Sequence, residues 1–129
     1  MDKKKVLVID DEEQFCNLVK KNIEKTDEFE VNIATNGDDG IRLAREIKPD
    51  LILLDMVMPE MDGADVISLI RNDKVIKDTP VVFLTAIVRE EEANSQTSFT
   101  RGYSLLAKTV TVGELITCIK KNVRRSAQP

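Results

Sequence analysis

Leu51-Ile52-Leu53-Leu54-Asp55 is followed by Met56-Val57-Met58-Pro59-Glu60-Met61-Asp62-Gly63. Its apolar run shows no polar alternation, which marks a strand covered on both faces, the condition of a central strand in a parallel sheet. In such sheets chemistry collects beyond the carboxyl ends of the strands. Asp55 stands at such an end. A carboxylate there is costly to bury unless a cation or hydrogen-bond donors face it. Asp62-Gly63 is a turn signal that closes the stretch.

The flanking sequence supplies the rest of the sheet. Val6-Leu7-Val8-Ile9 has strand length and strand composition, and it too ends in acid, at Asp10-Asp11. Phe15, Leu18, Val19 and Ile23 recur at helical spacing, which predicts a helix to about Lys25 with Asp11 as its N-cap. Phe29–Ala34 alternates as a second strand, and Asn36-Gly37 breaks the pattern. Ile41, Leu43, Ala44 and Ile47 mark a helix ending at Lys48-Pro49, and Val66, Ile67 and Ile70 mark another ending near Asn72-Asp73. Pro80 opens the strand Val81-Val82-Phe83-Leu84, which ends in Thr85. A Glu-rich helix is expected over Val88–Phe99, then a short strand over Tyr103–Ala107 ending in Lys108. Thr111 with Glu114 forms a capping box for a last helix carrying Val112, Leu115, Ile116, Ile119 and Val123. Strands alternating with helices specify an α/β fold, a five-stranded parallel sheet, doubly wound.

With 129 residues the chain is expected to form a single domain, residues 1–129, with its core over 4–123 and a polar tail over 124–129. Lys and Arg number 19 and Asp and Glu 23, a net charge of −4, which argues against direct nucleic-acid binding. Only four apolar residues separate the basic start from Asp10, too few for a signal peptide or a membrane span, so a cytoplasmic protein is expected. Cys16 and Cys118 make neither a disulfide framework nor a zinc site. The chain has no histidine, which excludes Ser/His/Asp and Cys/His nucleophile pairs.

In a doubly wound sheet the strand ends share one edge, so Asp10, Asp11, Asp55, Thr85 and Lys108 are expected to converge. Clustered carboxylates raise one another's pKa unless a cation neutralises them. An oxygen-only set points to a hard ion, most naturally Mg²⁺. The lysine and threonine are left to hold anionic oxygens. Such a site suits phosphoryl transfer, with Asp55 as the nucleophile and Asp10-Asp11 for the metal.

Asp10-Asp11, Asp55, Thr85 and Lys108, with the turn Met56–Gly63, together resemble the receiver domain of two-component response regulators, over about Lys4 to Val123. The resemblance implies a flavodoxin-like fold and Mg²⁺ held by Asp11, Asp55 and the Val57 carbonyl, with Asp10 acting through water. It implies a phosphoryl group accepted on Asp55 from a histidine of a sensor kinase or phosphotransfer protein. Thr85, the Ala86 N–H and Lys108 would hold its oxygens. Thr85 moving inward would then reshape the face built from the Val88–Phe99 helix, the fifth strand and the last helix, for a downstream protein or effector domain.

Two positions depart from the family pattern. Thr109 stands where proline usually follows the lysine through a cis bond; a cis bond before a non-proline costs about 3–4 kcal/mol, so trans is expected here. Leu105 replaces the usual aromatic switch residue, with Tyr103 on the same strand face. Val57 and Ile87 flank the water route to the phosphoryl group and carry no polar group, which predicts slow self-dephosphorylation. Val57 also argues against a hydrolytic phosphatase, which needs a carboxylate there. The acidic run Asp10–Glu13 argues against a flavin phosphate loop. An interaction module that keeps the fold and signals without phosphorylation is the alternative.

Overall fold

The computed structural model describes residues 3–86 and 103–123; Ile87, the helix expected over Val88–Phe99 and the tail from Arg124 lie outside the described residues. The strands are β1 (Lys4–Ile9), β2 (Phe29–Ala34), β3 (Leu51–Asp55), β4 (Val81–Thr85) and β5 (Ser104–Ala107). The described helices are α1 (Glu13–Glu24), α2 (Gly37–Ile47), α3 (Gly63–Arg71) and α4 (Val112–Asn122). All strand pairs are parallel, in the order β2-β1-β3-β4-β5. The strand order therefore reverses at β1/β3, and the crevice of the fold opens there.

The unbroken apolar run of β3 has the predicted cause. Leu51 and Leu53 point into one core with Val6, Val8, Val82 and Leu84, covered by Cys16, Val19 and Ile23 of α1 and Leu115 and Ile119 of α4. Ile52 and Leu54 point the other way, with Leu7, Ile9, Val81 and Phe83, under Ala44 of α2 and Val66 and Ile70 of α3. Both cysteines are free thiols on the α1/α4 side of the sheet.

Helix starts differ from the periodic reading in two places. The N-cap of α1 is Glu12 rather than Asp11, and no side chain caps it. Asp10 takes the Glu12 N–H instead, on Oδ1 at 2.8 Å. Asn36, read as a break, is the N-cap of α2 and accepts the Asp39 N–H at 2.8 Å. Asp62 does more than turn the chain: with Asp65 it forms a reciprocal capping box for α3. The capping box of Thr111 and Glu114 at α4 is as expected.

The β3–α3 connection folds back tightly. The Gly63 N–H donates to Met56 O at 3.0 Å, and a Cβ on Gly63 would stand 2.9 Å from Asp55 O and 3.0 Å from Met56 Cα. A side chain at this position would push the connection off the end of β3.

Candidate functional site

The ladder carries the site residues past the ends of their strands. Ile9 pairs with Leu54, so Asp10 and Asp55 emerge side by side across the β1/β3 crevice. Thr85 pairs with Ala107, and the Lys108 N–H donates to Thr85 O at 2.8 Å, bringing the lysine to the same edge. No peptide bond among the described residues is cis, so Lys108-Thr109 is trans as expected.

Asp10 is fully buried, Asp55 is 5% exposed and Thr85 7%, while Asp11 faces solvent. Carboxylate oxygens of Asp10, Asp11 and Asp55 lie within 4.8 Å of one another. Lys108 Nζ stands 2.7 Å from Asp10 Oδ2 and 3.5 Å from Asp55 Oδ2, and also contacts Glu12 Oε1. Asp55 Oδ1 accepts the Val57 N–H at 3.3 Å.

The charges act on one another through a dry floor. Burial pushes the Asp55 carboxyl up to about 7, and the neighbouring Asp10 charge adds to this; Lys108 and the Val57 N–H pull the other way. Burial acts to lower the Lys108 ammonium, but its close ion contacts with Asp10 and Glu12 and the charge of Asp55 outweigh it, so the lysine is held above its ordinary value and stays charged. The Cys16 thiol donates to Asp10 O at 3.3 Å and is pushed up to about 12, by burial first and Asp10 second. It is therefore no nucleophile at neutral pH.

Asp10 Oδ2 faces the lysine as an ion contact yet has no hydrogen bond among the described residues. A buried carboxylate oxygen left short of donors, next to two further carboxylates, fits a hard divalent cation. The acidic pocket Asp10/Asp11/Asp55 is thus able to bind a metal.

Most of the residues expected to act together line one cleft: Asp11, Asp55, Val57, Thr85, Ala86 and Lys108. Asp10 forms its buried floor. Leu105 does not reach the cleft; it pairs with Phe83 and packs with Tyr103 against the α2/α3 side of the sheet. Periodic reading missed one participant of the site. Glu12, which stands in the acidic run Asp10–Glu13, holds Lys108, and its only sequence signal is a third acid directly after the pair. Away from the cleft, Arg71 at the end of α3 donates to the Tyr103 hydroxyl at 2.6 Å and to Lys77 O and Thr79 O, both at 2.9 Å.

The chain is thus a doubly wound parallel α/β domain with a carboxylate cluster and a lysine at its topological switch point. The pattern of the response regulator receiver domain matches residues 6–120, and the chain belongs to that family. Similar proteins include the transcriptional regulatory protein ResD of Bacillus subtilis, 36% identical over 96% of this chain and 50% of its own length. Transcriptional regulatory protein SrrA of Staphylococcus aureus is 34% identical over 94% of this chain and 48% of its own. The chain therefore spans about half the length of the curated relatives it matches. Among solved structures, the receiver domain of the Francisella response regulator 1452 is 28% identical, with a TM-score of 0.76 over 92% of this chain and 94% of that one. The Vibrio cholerae chemotaxis protein CheY4 shares the fold, with a TM-score of 0.81 at 24% identity over 95% of this chain and 100% of its own. No described helix is long and apolar enough to cross a membrane.

Proposed function

We propose that this chain, acting as a single receiver domain with its core over residues 4–123, accepts a phosphoryl group on Asp55 from a phosphohistidine of a sensor kinase or phosphotransfer protein. The observation that supports this most is the meeting of a nearly buried Asp55 with Asp10, Asp11 and Lys108 at the switch point of the sheet. An Asp55 oxygen attacks phosphorus. A P–O bond forms as the donor's P–N bond breaks, and the imidazole leaves with the electron pair and takes a proton. Lys108, the Thr85 hydroxyl and the Ala86 N–H hold the phosphoryl oxygens. Asp11, Asp55 and the Val57 carbonyl, with Asp10 behind them, would hold Mg²⁺, which would supply the positive charge that lets carboxylates and phosphoryl group share one pocket.

Val57 is 78% exposed at the mouth of the cleft and brings no polar group to orient water there. Self-dephosphorylation is accordingly slow. The acyl phosphate acts through protein contacts on a downstream protein or effector domain, in the cytoplasm, where free Cys16 and Cys118 remain reduced.

Incubation with Mg²⁺ and a small phosphodonor, followed by mass spectrometry, tests the reading. One phosphoryl adduct is expected on the wild type and none on Asp55→Ala. No adduct, or one that survives the substitution, overturns it.

A further inference from the structure

Glu12 occupies the N-cap of α1, where Ser, Thr, Asp or Asn ordinarily accepts a helix N–H, and its own side chain makes no capping bond. Its carboxylate reaches across the site to Lys108, 96 residues away in sequence. The lysine also lies over the Phe15 ring, 5.1 Å from its centroid. Two of its partners thus come from the start of α1. Asp55 Oδ2, at 3.5 Å, lies farther from it than Asp10 Oδ2, at 2.7 Å.

These anions differ in how easily they let go. Asp10 is fully buried and is pinned through Oδ1 by the Glu12 N–H. The Glu12 side chain is 61% exposed and exchanges its ion pair for water at little cost. A phosphoryl group on Asp55 brings more negative charge to the lysine than the single carboxylate of Glu12 can. The releasable contact is therefore the one to Glu12.

We propose that Glu12 is a positioning residue for Lys108: it holds the ammonium toward α1 while Asp55 is bare, yields it to the phosphoryl oxygens, and so sets how readily Asp55 is phosphorylated. This rests on the phospho-acceptor reading above. The Glu12 backbone N–H keeps Asp10 in place whatever the side chain, so the two roles of this residue are separable.

Glu12→Gln keeps the side-chain length and the backbone donor and removes only the charge. Initial labelling rates of wild type and Glu12→Gln are to be compared at saturating Mg²⁺, so that ion binding does not limit either protein. Two donors are used, the dianion acetyl phosphate and the monoanion phosphoramidate. The variant is expected to label about two- to fivefold faster, the range of an exposed ion pair, and by the same factor with both donors. A gain that grows with donor charge overturns the proposal, because Glu12 then merely repels the donor. Equal rates overturn it too. If wild type labels on Asp55 and the variant does not exceed it, this inference alone fails; if wild type takes no phosphoryl group at all, the phospho-acceptor reading fails and this inference with it.

Discussion

Gly63 is where a single missing atom matters most. Its absent Cβ would meet Asp55 O at 2.9 Å, Met56 Cα at 3.0 Å and Phe83 Cε1 at 3.1 Å. Two of these are backbone atoms of the segment that presents Asp55, and they cannot turn aside as a side chain can. Gly63→Ala is expected to destabilise the fold by about 1–3 kcal/mol through overpacking and to slow phosphodonor labelling together with it. A thermal melt and the labelling rate check both; an unchanged melting temperature argues that the β3–α3 connection has slack. Sequence shows Asp62-Gly63 as a turn signal. The reason for glycine is a close approach between segments, which no local pattern contains.

Among the elements, α3 reaches the far edge of the sheet through Arg71 as well as through its apolar face. Arg71 donates to Tyr103 OH and to the carbonyls of Lys77 and Thr79, and its guanidinium carbon lies 5.2 Å from the Tyr103 ring centroid. The ring in turn meets Phe83 edge-on, with centroids 5.6 Å apart. Tyr103→Phe keeps the ring and removes only the hydroxyl that accepts from Arg71. A loss of about 1 kcal/mol is expected, seen as a lower urea midpoint with an unchanged slope. An unchanged midpoint means that water replaces the hydroxyl without cost. Tyr103, just before β5, and Leu105 lie on one face, as read from sequence. That Tyr103 is anchored by α3 was not legible, because Arg71 at the end of a helix reads as an ordinary solvated cation.

Across the whole molecule, the fold carries a cost at its own site. Asp55 has its carboxyl pushed up to about 7, by burial first and then by Asp10, from an ordinary value of 3.8. The native state thus holds a proton over a range of pH where the unfolded chain has released it. This contribution to stability is complete below about pH 4 and is lost as pH rises through about 7 in metal-free protein. Asp55→Asn has no such proton to lose. In a chelator its stability advantage over wild type should grow from pH 4 to 7 and level off near 1–2 kcal/mol (about that size, since one side of the cleft is open to solvent). Melting temperatures across this range check it, and parallel curves for the two proteins would count against a strained Asp55.

Composition, apolar runs and capping residues are local properties, and they determined the five strands, the covered character of β3, the start of α4 and the acids, hydroxyl and lysine at the strand ends. Parallel pairing then follows, because strands separated by helices can pair only through crossovers. Tertiary structure alone decided which groups share the lysine. Glu12 and Lys108 lie 96 residues apart and meet because β1 and β5 belong to one sheet whose ends face one way. It also decided how dry Asp55 is, since burial depends on everything packed around the end of β3 and no sequence window contains those neighbours.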